Sequence, residues 1–258
     1  MKRLIVPFIL SSVLLGITAW MTSLGTVGIY RIPQWNEVLA ATFQHLQLVL
    51  AAEGLAILVG VPIGFVVSRR ALRWIGGPLM VLTNIGQTIP TLALLALVSI
   101  MLGSGFRAAV VGLLIYALLP IVRNTYAGIQ SVSPAVIEAA QGMGMSRWQV
   151  TSRVELPLAR PVVIAGIRTS MVVNVGTAAV AGMIGGMGLG KLITIGISVN
   201  VFELMIQGAA PAAALAILLD AILGLVEHWM TPRGLRRDSA RQQQQGSKRL
   251  AKVAEGIS

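Results

Sequence analysis

Apolar residues in this chain gather into long runs separated by short polar stretches, with neither strand-like alternation nor a narrow helical stripe. A helix crosses the hydrocarbon layer of a bilayer with about 20 mostly apolar residues. Six segments meet that requirement: 4–24, 43–67, 79–102, 108–129, 162–184 and 204–230. The last is the least uniform, because Asp220, Glu227 and His228 interrupt it. The pattern predicts an all-α integral membrane protein with six transmembrane helices.

Composition agrees, since 258 residues that are 55% hydrophobic and only 11% charged cannot cover a water-soluble globule of this size. The chain has no cysteine, which excludes disulfides and thiolate metal sites. Its two histidines, His45 and His228, fall in different apolar segments without ligand-like spacing, so no metal site is expected.

A net charge of +11 could suggest nucleic acid, but the placement of the cations points to membrane topology. With a cytoplasmic N-terminus, six spans put Arg69, Arg70 and Arg73 inside, then Arg147, Arg153 and Arg160, then the tail from Arg233. Arg31, Arg107 and Lys191 fall outside. Both termini are therefore expected in the cytoplasm. Lys2 and Arg3 ahead of the first apolar run could also open a signal peptide, but the run is longer than a typical h-region and no A-x-A site follows it, so a retained anchor is favoured.

Three regions follow: 1–42, an N-terminal anchor and outer loop; 43–232, the membrane core; and 233–258, a basic tail with a Gln242 to Gln245 run. Such a tail cannot bury a core and reads as disordered or loosely held on anionic lipid.

The polar segment 133–157 stands out between two spans. Ser133-Pro134 has the form of an N-cap followed by proline in the first turn, where its missing N–H costs nothing. A short helix through Glu138, Ala139 and Ala140 follows, and Gly142 and Gly144 allow a sharp turn. Ser146 to Gln149 has capping-box spacing for a second helix ending before Pro157. The expected product is a helix-turn-helix elbow on the inner membrane face, whose small alanines beside one acid suit a partner's groove. By composition alone, an ordinary interfacial amphipathic helix fits as well.

The spacing Glu138-Ala139-Ala140, three residues, Gly144, nine residues, Val154, one residue, Leu156-Pro157 resembles the EAA loop of permease subunits of bacterial ABC importers, with Val154 where the family commonly has Ile. The similarity covers roughly 43–230. Gln87-Thr88-Ile89-Pro90 with the leucine-rich run after it, the Gly185 to Gly190 stretch and Gln207-Gly208-Ala209 resemble the permeases of osmoprotectant importers, which carry glycine betaine, choline or carnitine. Glu53 departs from that pattern, an acid where small or neutral residues are expected.

The resemblance implies a type I ABC importer permease fold with a cytoplasmic coupling helix. It implies a non-catalytic subunit that binds no cofactor itself, with ATP used by a partner ATPase. It further implies three partners: that cytoplasmic ABC ATPase, an external solute-binding protein and a second permease subunit, identical or related. Glu138, Ala139, Ala140, Gly144, Val154, Leu156 and Pro157 then form the ATPase-coupling set.

Gly185 to Lys191 imitates the first seven positions of a phosphate-binding loop, G-x-x-x-x-G-K, but Leu192 replaces the required Ser or Thr and no strand precedes it. A re-entrant or gate element at the outer mouth is the better reading. Ionisable residues within spans cost about 2.5–3.5 kcal/mol on insertion scales and usually face an interior or a cavity. Glu53 and Asp220 are candidates for the translocation pathway or for interhelical pairing. Arg123 and Arg168, toward the inner ends of their spans, favour snorkelling or bracing of the elbow over contact with solute. Asn174 and Thr177 share one helical face and either line the pathway or bond between helices. Aromatics are 5% of the chain and do not cluster into an onium-binding cage, so specificity is expected in the external binding protein. The alternatives are a permease for another small solute, such as an amino acid or organic cation, or an ion-coupled secondary transporter. An intramembrane enzyme is weaker still, for want of a nucleophile–base pair.

Overall fold

The structure, a computed structural model, describes residues 2–230. The basic tail expected at 233–258 lies outside the described residues. Helix α1 (Lys2–Thr22) leads into a two-residue hairpin, β1 (Thr26–Val27) against β2 (Tyr30–Arg31). Helix α2 (Trp35–Val67) follows, then α3 (Arg73–Gly86), α4 (Thr91–Leu102) and α5 (Phe106–Gln130). The elbow contributes α6 (Pro134–Gly142) and α7 (Arg147–Val150), and a π-helical turn (Thr151–Glu155) joins it to α8 (Leu156–Val180). A 3-10 turn (Ala181–Ile184), α9 (Leu189–Val199) and α10 (Phe202–Met230) complete the described chain.

Helices α2, α5 and α8 form the centre. Leu48, Val49 and Ala52 of α2 meet Ala109 and Leu113 of α5 and Met171, Val175 and Ala178 of α8, and α4 adds Leu95 and Val98. Without a hydrophobic drive between helices in lipid, close approach at small residues holds such a bundle. At Gly64 an added Cβ would sit 2.7 Å from the backbone oxygen of Val122, so α2 and α5 touch almost backbone to backbone there. Helix α10 flanks α8 and α9, and α1 lies along α10. The outer surface carries Phe8, Leu58, Ile100 and Trp229 in exposed positions, the inverse of a water-soluble protein.

Among the described residues, five helices are long and apolar enough to cross a membrane, and a sixth span exists if the bent pair α3–α4 is taken as one. The segment expected to cross continuously at 79–102 is instead broken by 98°. Pro90 has no N–H and pushes the residue before it away from helical backbone, so α3 stops at Gly86 and α4 restarts at Thr91. The second span begins at Trp35 rather than near 43. Its first turn closes through Glu37, whose carboxylate accepts from the Gln34 backbone N–H at 2.8 Å, so a polar opening continues an apolar helix.

Pro157 does not end the second elbow helix as its position suggested. It sits in the first turn of α8, and the chain runs helically through the π turn into the span. Proline cannot donate to the carbonyl four residues back, and the wider π turn just before it accommodates that gap. The Gly185 to Gly190 stretch is a folded turn rather than a loose loop. Gly185 and Gly188 take φ of +79° and +89°, and the Gly186 N–H donates to the Ala181 carbonyl at 2.9 Å. It delivers α9, an apolar helix of 11 residues, too short to cross and turned back into α10 by Asn200 at φ +53°.

Candidate coupling site and buried polar contacts

The elbow is built from turn chemistry. Pro134 opens α6 at N1, while the Ser133 carbonyl, rather than its hydroxyl, accepts from Val136 N–H at 3.0 Å. At the far end the Met145 N–H donates to the Ala140 carbonyl (3.2 Å) and the Gly144 N–H to the Gln141 carbonyl (2.9 Å). With Gly144 at φ +84°, this is a Schellman cap, and the left-handed position is the reason for glycine. Gly142 lies inside α6, so only one of the two glycines makes the turn. Ser146 then closes the expected capping box: its N–H donates to Gln149 Oε1 (2.8 Å) and its Oγ accepts from Gln149 N–H (3.3 Å).

Two faces result. Glu138, Ala139 and Gly144 are exposed, together with Met143 and Trp148, each at 74%. Ala140 is buried within the elbow, where α6 packs on α7 and the π turn, and Val154 and Pro157 are half-buried on the chain's return to the span, with Leu156 just exposed. The coupling set thus separates into an outward group, Glu138, Ala139, Gly144 and Leu156, and an inward group, Ala140, Val154 and Pro157.

Beneath the elbow lies a cavity of about 610 Å³ lined by Arg69, Ile137, Glu138, Arg147, Val150 and Glu155 among others. Arg69, at the end of α2, donates through Nη1 to Glu155 Oε2 at 2.6 Å, stacks 4.0 Å from the Phe65 ring centroid, and shares that carboxylate with Thr151 Oγ1 at 3.0 Å. Gln130 Nε2 donates to the Ser68 carbonyl at 2.9 Å, so the inner ends of α2 and α5 are also joined. Neither Arg69 nor Glu155 stood out in the sequence. Arg69 read as one of three topology-setting cations, and Glu155 sits unmarked between Val154 and Leu156.

Of the four pathway candidates, two come together. Glu53 on α2 is buried, and its Oε2 accepts from Asn174 Nδ2 (2.8 Å) and Ser170 Oγ (3.1 Å) on α8. Ser170 also reaches the Ala117 carbonyl of α5 at 3.2 Å, so three helices meet at one polar point. Thr177 is buried and donates to the Val173 carbonyl of its own helix at 2.9 Å. Asp220 lies elsewhere, with Arg168. Arg168 binds it through two parallel bonds, Nε to Oδ1 (2.6 Å) and Nη2 to Oδ2 (2.7 Å), and reaches Glu227 Oε2 at 3.0 Å. Arg168 therefore ties α8 to α10 instead of bracing the elbow, while Arg123 is exposed. His45, which carried no role in the sequence, stands 3.0 Å through Nε2 from the Val175 carbonyl and adds another α2–α8 link.

A helical membrane bundle with polar ties between its spans and a capped, exposed elbow at one end has the form of a transport permease subunit with a docking surface. The chain belongs to the family described as binding-protein-dependent transport system inner membrane component, which matches residues 60–233. It is 40% identical over 232 residues to the osmoprotectant import permease protein OsmY of Salmonella typhimurium, covering 90% of this chain and 97% of that one. It is 43% identical over 202 residues to the choline transport system permease protein OpuBB of Bacillus subtilis, covering 78% and 92%. Among solved structures it resembles the MetNI methionine ABC transporter in an inward-facing conformation, with a TM-score of 0.64 at 22% identity, over 76% of this chain and 96% of that one. The fold is that of a type I ABC importer permease, and the chain is an inner membrane component that is not itself catalytic. Membership places it in an import system that works with an ATPase and a solute-binding protein.

Proposed function

We propose that this chain carries a compatible solute such as glycine betaine, choline or carnitine across the inner membrane, driven by a cytoplasmic ATPase seated on the elbow. Both termini face the cytoplasm, a second permease subunit completes the pore, and an external binding protein selects the solute. The chain binds no cofactor, and ATP is consumed by the partner.

The observation that carries the reading is the elbow itself. An exposed apolar and acidic surface, formed by Glu138, Ala139, Met143 and Trp148, sits on a turn fixed by a Schellman cap and a capping box. Such a surface suits a helix-in-groove contact. The relatives named above support the solute class. When the ATPases close, α6 is pushed, Ala140 and the π turn pass the displacement to α8, and Glu155 passes it through Arg69 to α2. Glu53 and Asn174, like Arg168 and Asp220, keep the moved helices in register, and Thr177 bonds along its own helix. A rigid-body change of this kind switches access from one side to the other.

The test is uptake of radiolabelled glycine betaine into vesicles holding the permease, its ATPase and its binding protein. Uptake requires enclosed ATP, and Glu138→Arg abolishes it together with retention of the ATPase. Uptake that persists without ATP and follows an ion gradient contradicts the reading.

A further inference from the structure

The break between α3 and α4 belongs to no coupling contact, and its setting is chemically unusual. Its depth is fixed by α5. Gly86 packs on Leu119, the Tyr116 hydroxyl donates to the Ile89 carbonyl, and Gly112 packs on Leu95. Residues 116–119 are the middle of α5, which spans Phe106–Gln130 and is therefore about 37 Å long at 1.5 Å per residue. The non-helical stretch from Gln87 to Pro90 thus sits near mid-bilayer, and all four residues are exposed.

Irregular backbone at that depth survives only where protein shelters it or water reaches it, because lipid offers no hydrogen bonds. The polar side chains are gathered in the same place. Asn84 is exposed in the last turn of α3, and Gln87 and Thr88, both exposed, follow it at the break. The exposed surface of α3 also carries Val81, Leu82 and Ile85, at 57%, 62% and 56%, which suits lipid. Asn and Gln also bond between helices in a membrane, so these two amides suit a wet wall or a subunit contact, and not lipid. The C-terminal end of α3 adds its partial negative charge at the break.

We propose that Asn84, Gln87 and Thr88, exposed at the break, form part of the wall of the water-filled solute path. There, amide and hydroxyl oxygens and the carbonyl end of α3 face a passing small solute that bears an onium group. The solute class rests on the function proposed above, while the watery setting of the break does not.

The chain has no cysteine, so single cysteines report cleanly. Asn84→Cys, Gln87→Cys and Thr88→Cys are each introduced into the full permease–ATPase complex in vesicles. Each is exposed to a trimethylammonium-ethyl methanethiosulfonate reagent, with Ile100→Cys, exposed at 82% on an apolar stretch of α4, as the reference. Thiols react as thiolates, which need water, so at least two of the three positions label about tenfold or more faster than Ile100→Cys. Saturating glycine betaine slows them severalfold. Labelling no faster than at Ile100→Cys overturns the proposal, as does spontaneous disulfide formation between two copies of Gln87→Cys without labelling, which would make the break a subunit contact. Fast labelling that glycine betaine leaves unchanged, but another transported solute slows, keeps the wall and removes the solute class. Because labelling needs no ATP, it stands or falls separately from the uptake test.

Discussion

At the scale of single residues, Arg69, Glu155, Arg168, Asp220 and Glu53 each find partners far away in the sequence. Glu155 is buried and depends on Arg69, so Arg69→Gln leaves a carboxylate without its cation. We expect that variant to hydrolyse ATP with the ATPase still bound but to move several times less solute per ATP. The exchange Arg69→Glu with Glu155→Arg should recover part of the loss, and the measurement is the ratio of phosphate released to solute taken up. A purely local packing role would lower both rates together. Glu53 gives a second test, since its oxygen accepts from Ser170 and Asn174. Glu53→Gln keeps an acceptor there and should be mild, whereas Glu53→Leu strands the buried Asn174 amide at a cost of about 1–3 kcal/mol, visible as a lower midpoint of thermal unfolding in detergent. None of these pairings was legible beforehand, because Glu53 and Asn174 are separated by 121 positions and only the fold brings them together.

At the scale of elements, hydrophobic run length located the spans because it follows from the thickness of the bilayer, whatever the packing. It missed the bend at Pro90, since an apolar count is the same for a straight span and for one broken by 98°. It also started α2 late, because Asn36, Glu37, Gln44 and His45 dilute the apolar signal of turns that are nonetheless helical. The elbow was far more legible, since caps are local chemistry: the Ser146 to Gln149 box was readable from four residues. Gly144 allows a prediction at this scale. Gly144→Val forces a β-branched residue into left-handed backbone, costing about 1–2 kcal/mol, while Gly144→Asn tolerates the conformation. The first should reduce co-purification of the ATPase and the second should largely preserve it.

At the scale of the molecule, one arrangement links the ends of the bundle. The elbow is fastened to α8 by the continuous π turn and to α2 by Arg69 and Glu155, and those two helices pack with α5 and share the Glu53 contact at their crossing. A push at α6 therefore has a continuous path into the helices on which the broken span is packed. The most direct test of the central claim places a cysteine at Met143, which is exposed at 74% on the elbow. In the assembled importer, Met143→Cys should crosslink to the ATPase, with a yield that changes between the nucleotide-free and ATP-bound states. In intact cells it should resist a membrane-impermeant thiol reagent added outside. Labelling of Met143→Cys from the outside, or no crosslink to the ATPase in any nucleotide state, would contradict the account.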